Sequence, residues 1–251
     1  MQGQFKYDAK GSEFFSVVFL QTLLILITCG IYLPWAVVKI RKFYCDNLTL
    51  DGKKFDFNGE GGELFSYALP QIILTVITCY IYMPWAMVKI EKYFYEKTTF
   101  DGKPFEFTAD GGKMFSLILS NTLLTLITCG IYYPWAIVNM LKYYVESSKY
   151  ENIAFDCTAK GDELFSLGFI QILLTLITCG IYYPCAIVKI AKYIYSKTGY
   201  NGRTFSFSGE GGELFSLCLK GILLTGITCG IYYLWFINDL SKYVTNKSSI
   251  N

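Results

Sequence analysis

Uncharged polar side chains recur at fixed spacing inside the most apolar stretch of this sequence. Gln71, Thr75, Thr78 and Tyr82 are spaced i, i+4, i+7 and i+11, so they share one face of a helix. Such groups need hydrogen-bond partners, which leaves two alternatives: bonds between packed helices, or a polar path for small solutes. The stripe continues in the other copies of this stretch with Gln21, Thr28, Tyr32, Asn121, Thr125, Thr128, Tyr132, Gln171, Thr175, Thr178, Tyr182, Thr225 and Thr228.

Residue types that commonly act in catalysis are either absent from the sequence or lack the neighbouring groups that would activate them. The 251 residues include no histidine, which excludes Ser-His-Asp triads and histidine metal sites. A repeated serine has no base beside it and is expected to pack between helices; it occurs as Ser16, Ser66, Ser116, Ser166 and Ser216. We therefore predict no enzymatic activity, no catalytic residue and no cofactor.

Five of the nine cysteines occupy one repeated position, namely Cys29, Cys79, Cys129, Cys179 and Cys229. No Cys-x-x-Cys pair is present in the sequence. We expect the repeated cysteine to be a small buried hydrophobic residue, and a ring of thiolates around a soft metal is the alternative.

The chain repeats itself every 50 residues without insertion or deletion. A fixed period indicates one small unit that buries its apolar face against its copies. We therefore predict a single array of five units, residues 1–50, 51–100, 101–150, 151–200 and 201–251.

Charge is excluded from long blocks in every unit. These blocks cover residues 14–38, 64–88, 114–141, 164–188 and 221–238, and about 20 helical residues suffice to span a bilayer. The predicted fold class is therefore a mainly α membrane protein, with a soluble helical solenoid as the alternative. A net charge of +2 without a basic cluster argues against nucleic acid as a partner.

Each unit is expected to contain the same elements. An apolar helix ends at a glycine, as at Gly30, and a Pro-Trp turn starts a short basic amphipathic helix over about residues 84–95. Asp51-Gly52, Asp101-Gly102 and Asn201-Gly202 indicate β-hairpins. Aromatic and basic residues are expected at the membrane interface, and these are Trp35, Lys39, Trp85, Lys89, Trp135, Lys189 and Trp235.

The two termini resemble complementary halves of a hairpin. Residues 4–7 match its second strand and residues 248–251 its first. Their pairing within the chain closes a pseudo-five-fold ring, whereas pairing between chains makes head-to-tail polymers. Because equally basic segments on alternating sides conflict with the positive-inside rule, we favour helix pairs that enter the bilayer from one face.

The segment Leu124 to Ala136, Leu-Thr-Leu-Ile-Thr-Cys-Gly-Ile-Tyr-Tyr-Pro-Trp-Ala, and its copies resemble the YjgN-like family of bacterial inner-membrane proteins. The resemblance implies a location in that membrane and no particular reaction. We predict a non-enzymatic membrane protein that forms a ring or polymer, with a structural or membrane-remodelling role. The alternative is a channel or transporter along the polar stripe. The expected partners are the lipid bilayer and further copies of the chain.

Overall fold

The computed structural model describes residues 3–251 and repeats one arrangement of elements five times. The longer strands are β1 (Gly3–Tyr7), β3 (Lys53–Phe57), β5 (Lys103–Phe107), β7 (Ile153–Cys157) and β9 (Arg203–Phe207). The shorter strands are β2 (Leu48–Leu50), β4 (Thr98–Phe100), β6 (Ser148–Tyr150), β8 (Thr198–Tyr200) and β10 (Ser248–Ile250). The first helices of the units are α1 (Gly11–Ile27), α3 (Gly61–Ile77), α5 (Gly111–Ile127), α7 (Gly161–Ile177) and α9 (Gly211–Ile227). The second helices are α2 (Leu33–Asp46), α4 (Met83–Lys97), α6 (Tyr133–Ser147), α8 (Tyr183–Ser196) and α10 (Tyr233–Asn246).

The ten strands form one closed antiparallel barrel. Each strand pairs with its neighbours along the chain, and β1 also pairs with β10, with Gly3 opposite Ile250. The terminal segments thus pair within the chain, which is one of the two arrangements expected. The predicted fold class, a mainly α membrane protein, is wrong. An isolated hairpin leaves its backbone edges unpaired, and here every hairpin satisfies them by pairing with the next.

The turns between paired strands have backbone conformations that close a two-residue hairpin. Asp51 and Gly52 have φ values of 52° and 78°, as in the type I′ turn, whose twist matches that of the strands. Glu151 and Asn152 adopt the same conformation with φ values of 52° and 62°. The four internal hairpins therefore present equivalent turns at one end of the barrel.

The charge-free blocks are broken near their middle. The first helix ends where Cys29 takes φ 49° and the Gly30 amide donates to the Ile25 carbonyl, the bonding of a Schellman motif. Pro34 then lies in the first turn of α2, where its missing N–H costs nothing. Among residues 3–251, no helix has both the length and the hydrophobicity to cross a bilayer. The break falls at the glycine and the Pro-Trp turn, where the sequence predicts that the first helix ends and the second begins.

Adjacent helices pack around the whole ring, since each helix contacts the next and α10 contacts α1. Neighbouring units meet where a tryptophan of one unit packs against a glycine of the next. Trp35 of α2 lies against Gly61, and its ring centroid is 5.3 Å from that of Phe65. Trp85, Trp135 and Trp235 make the equivalent contacts with Gly111, Gly161 and Gly11. Cys185 replaces the tryptophan against Gly211.

The seam between the fifth and first units is more polar than the other junctions. Asn246 accepts from the Tyr7 amide at 2.6 Å and donates to the Tyr7 carbonyl at 3.3 Å. Tyr44 and Thr245 hydroxyls lie 3.0 Å apart, and the buried Asn238 stands where the other units have valine. Directional hydrogen bonds thus select the register in which the ring closes.

We expect Asn246→Ala to lower the free energy of unfolding by about 1–3 kcal/mol, because it leaves the partly buried Tyr7 amide without its acceptor. Hydrogen exchange of residues 3–7 should accelerate. Asp46→Ala, at the equivalent exposed position of the first unit, is the control and should change stability by less than about 0.5 kcal/mol. Equal exchange in both variants contradicts a closing role for Asn246.

Candidate functional site

Five apolar arms are the most exposed hydrophobic feature of the molecule. We use this name for the second half of each first helix, its turn and the start of the second helix: residues 22–33, 72–83, 122–133, 172–183 and 222–233. None contains a charged residue. The isoleucine that ends each first helix is between 71% and 78% exposed, at Ile27, Ile77, Ile127, Ile177 and Ile227. Apolar surface of this extent marks an interaction site.

The arms project because neighbouring units hold one another at their bases. Trp35 contacts Gly61 and Phe65 in the first two turns of α3, and the following residues of α3 extend past this contact. Val76 and Ile77, near the end of α3, are more than 60% exposed. The repeated sequence places an equivalent arm on each unit, and a closed ring of equivalent units presents all five tips on one side.

The polar stripe is bonded largely within its own helical hairpin. The Tyr82 hydroxyl donates to Gln71 Oε1 at 3.0 Å and accepts from Lys89 Nζ at 2.9 Å. Thr75 Oγ1 donates to the Gln71 carbonyl at 2.7 Å, and Thr78 Oγ1 donates to the Leu74 carbonyl at 2.8 Å. Threonines bonded to their own helix in the same way are Thr28, Thr125, Thr128, Thr175, Thr178 and Thr228. The amide, the turn tyrosine and the lysine thus tie one helix to the next.

Other units keep this link with different residues. Gln171 accepts from the Tyr182 hydroxyl at 3.2 Å, whereas Asn139 donates to Asn121 and to the Tyr132 hydroxyl. The first and fifth units are incomplete, since Gln21 Oε1 and Thr225 Oγ1 are buried without a partner among residues 3–251. A role for the stripe in solute passage stays a prediction.

The fifth unit replaces the amide with Gly221. A Cβ there would lie 2.5 Å from Cγ of Phe236. Phe236 stands where the other units have alanine, so the two changes compensate in volume.

The tryptophans predicted at the membrane interface are half-buried between units. Trp85 stacks on Tyr82 of its own turn at 6.0 Å and on Phe115 of the next unit at 5.1 Å. The predicted lysines Lys39, Lys89 and Lys189 lie over the rings of Tyr32, Tyr82 and Tyr182, at 5.5 to 5.9 Å. Contact of these tryptophans and lysines with lipid stays a prediction. The packing of the tryptophans between units was not predicted from the sequence.

The repeated cysteines are exposed at the tips of the arms, so the expectation that they are buried is wrong. Each follows the last turn of its helix in the left-handed conformation, with φ between 48° and 50°. Within residues 3–251, no cluster of three or more metal-binding side chains occurs.

A ring of lysines lies below the arms. Lys92 falls within the basic helix predicted at residues 84–95, whereas the five-fold ring was not predicted. Every second helix carries a lysine three residues after the position of Lys39, and these are Lys42, Lys92, Lys142, Lys192 and Lys242. At about 1.5 Å per residue, each lies roughly 14 Å along the helix from the end of its arm. The strict five-fold occurrence was a signal available in the sequence.

A tyrosine joins the two helices at the base of each of four hairpins. The Tyr93 hydroxyl accepts from the Glu60 amide at 3.1 Å, directly before α3. Tyr143 and Tyr193 accept from Asp110 and Lys160 in the same way, and the Tyr243 hydroxyl donates to the Glu210 carbonyl at 2.8 Å. Burial raises the pKa of Tyr93 to about 12, and the neighbouring Glu63 carboxylate contributes.

This pKa predicts a loss of stability in alkali. The phenol ionises near pH 10 in the unfolded chain and near pH 12 in the folded chain, so its contribution is complete below pH 10 and is lost as the pH rises towards 12. We expect the thermal midpoint of Tyr93→Phe to fall less over this interval than that of the unmodified protein. Identical alkaline profiles contradict this assignment.

Comparison with known proteins supplies the family. The family model described as "Bacterial protein of unknown function (DUF898)" matches residues 2–69, 53–116, 105–170 and 152–207. These overlapping matches cover most of the chain, so the chain belongs to this family. The resemblance inferred from the motif at Leu124 to Ala136 is thereby confirmed, in four tandem copies.

Curated relatives share one unit of the repeat. The "Inner membrane protein YjgN" of Salmonella typhimurium is 41% identical over 49 residues, which are 20% of this chain and 12% of the relative. The protein of the same name from Escherichia coli K12 is 41% identical over 51 residues, 20% of this chain and 13% of the relative. The matched stretch thus spans about an eighth of these relatives. No solved structure matches the chain. The bacterial inner membrane, the predicted location, is supported by the names of these relatives.

Proposed function

We propose that this chain is a non-enzymatic scaffold of the bacterial inner membrane that inserts its five arms into one leaflet. The observation that carries the proposal is the set of five uncharged arm tips, which the closed ring presents on one side with their isoleucines 71–78% exposed. Burial of one such side chain is worth about 1.5–3 kcal/mol. Five arms together provide firm attachment without a spanning segment.

The length of the arms supports insertion into a single leaflet. Six helical residues rise about 9 Å, and the turn adds a few ångströms, whereas the hydrocarbon core is about 30 Å thick. The hydrogen bonds of the Thr75 and Thr78 hydroxyls to their own helix support the same placement, because a bonded hydroxyl is far less costly in hydrocarbon than a free one.

The lysine ring favours contact with anionic headgroups. Lys42 and its four equivalents lie below the arms, at the level where headgroups would meet the second helices. Each lysine near an anionic surface is worth about 1 kcal/mol. Apolar arms and a basic ring are the two components of interfacial membrane binding.

A structural or membrane-remodelling role follows from insertion on one side. Five arms that enter one leaflet increase the area of that leaflet relative to the other, which favours curvature. The pairing of β1 with β10 occupies the edges that a head-to-tail polymer would use, so we propose the closed single chain as the unit that acts, with further association through other surfaces.

The depth of the arm tips tests this proposal. A variant that keeps Cys79 as its sole cysteine would carry a nitroxide, in vesicles that contain anionic lipid. The label should be accessible to oxygen and shielded from a soluble nickel complex. Asp51→Cys, with Cys79 replaced, is the matched control at the barrel turn and should show the reverse. Equal nickel accessibility at both positions contradicts insertion of the arms.

A further inference from the structure

An apolar chamber lies between the inner side of the barrel and the second helices. Its volume is about 370 Å³. A neighbouring cavity of about 360 Å³ shares Tyr95 and Phe105 with it but is also lined by the charged Arg41 and Glu91, so it is not part of the apolar chamber. Residues of four units line the chamber, and they include Leu141, Val145 and Ile194. Volumes of this size are typical of sites for small molecules.

Five phenylalanines occupy equivalent strand positions, and three of them, Phe105, Phe155 and Phe205, line the barrel side of this chamber. Ring centroids of Phe5 and Phe55, Phe55 and Phe105, Phe155 and Phe205, and Phe205 and Phe5 are 6.2 to 6.5 Å apart. An aromatic layer therefore bounds the chamber on its barrel side.

Polar groups in the chamber wall are already bonded to the protein. Thr198 donates to the carbonyl of Ile194, and Ser148 donates to the carbonyl of Tyr144. Neither hydroxyl needs a ligand, and water would gain few partners there. The chamber thus suits an occupant without polar atoms.

A second apolar space runs from the arms to the wall of this chamber. A groove of about 420 Å³ runs between α6, α7 and α8, from Tyr133, Leu176 and Tyr183 in two of the arms to Ile194. Ile194 also lines the chamber. The groove and the chamber therefore adjoin at this side chain.

We propose that this chamber binds the acyl chain of a membrane lipid. The adjoining groove, which opens at the arms, points to the bilayer as the source, and the bonded hydroxyls place the polar headgroup outside the wall. Each further methylene of the chain should tighten binding about fourfold. Entry of the acyl chain from the bilayer rests on the proposed insertion of the arms. Binding of an acyl chain in the chamber does not depend on that insertion.

Binding of doxyl-stearic acid to the full chain, supplied from solution and followed by electron paramagnetic resonance, tests the site independently of arm insertion. Wild-type protein should immobilise the probe. Val145→Trp and Leu141→Phe, which fill the chamber, should each reduce the bound fraction at least tenfold. Leu126→Phe, on an exposed arm surface, is the control and should leave binding unchanged.

Three results would overturn the proposal: no immobilised probe with wild-type protein, full binding by a folded filled variant, or equal loss in Leu126→Phe, which would place the probe on the arms. Native mass spectrometry of the wild-type chain from membranes provides a second readout that needs no variant. A co-purified lipid supports the site, and a lipid-free chain contradicts it.

Discussion

Replacement of three arm-tip isoleucines by aspartate, Ile77→Asp, Ile127→Asp and Ile177→Asp together, should release the protein from membranes. A carboxylate in the hydrocarbon centre costs about 2.5–3.5 kcal/mol on insertion scales, and each change also removes the transfer energy of an isoleucine. Even if the costs of the three substitutions add only in part, their sum exceeds the binding free energy that the two remaining arms provide. Sedimentation with anionic vesicles should fall from nearly complete to nearly none, while the barrel stays folded because these side chains are exposed.

The matched control adds the same charge away from the arms. Asn58, Asn152 and Asn201 are exposed near the strands, and their replacement by aspartate changes the net charge equally with almost no change in shape. This variant should sediment like the unmodified protein, apart from a small effect of charge. If both variants bind alike, the arms are not the anchor.

Among substitutions that add one methyl group, Gly61→Ala should lower the stability of the fold most. A Cβ at this position would lie 2.5 Å from Cγ and 2.7 Å from Cα of Trp35. The Cα is backbone and cannot rotate away, and the ring is held between Tyr32 and Phe65. Overpacking of this kind typically costs 1–3 kcal/mol, or about 2–10 °C in thermal midpoint for a chain of this size.

The next residue provides the control for this prediction. A Cβ at Gly62 would meet no atom within 4 Å, so Gly62→Ala should be neutral or stabilising by up to about 1 kcal/mol through the unfolded state. Thermal unfolding of the two variants in the same detergent makes the comparison. Equal midpoints would show that units do not depend on close contact at the tryptophan.

Local signals in the sequence located turns well. Asp51-Gly52 adopts the left-handed conformations that the pair is suited to, and Pro34 lies in the first turn of a helix. Both depend on backbone preferences of one or two residues, which neighbours in space do not alter. The position of the helix stop was off by one residue, since Cys29 and not Gly30 takes the first left-handed conformation.

Tertiary relations were harder to predict because hydropathy does not distinguish among apolar environments. The block at residues 64–88 is as hydrophobic as a membrane-spanning helix. In the structure its first part packs against neighbouring units, whereas the arm at residues 72–83 is largely exposed. Trp35 is of a residue type that is common at membrane interfaces, but in the structure it packs against Gly61 of the next unit. The chamber depends on residues of four units at once, namely Tyr95, Phe105, Ile194 and Phe205, and no local pattern in the sequence predicts that these residues meet.

Sidedness of the barrel turns tests the central claim, that all five arms enter one leaflet from one face. Single cysteines at Asp51, Asp101, Glu151 and Asn201, in a cysteine-free background, would be labelled with an impermeant maleimide in intact and in opened cells. The closed ring predicts that all four positions react from the same side of the membrane. Reaction from alternating sides would contradict the ring and its one-sided insertion.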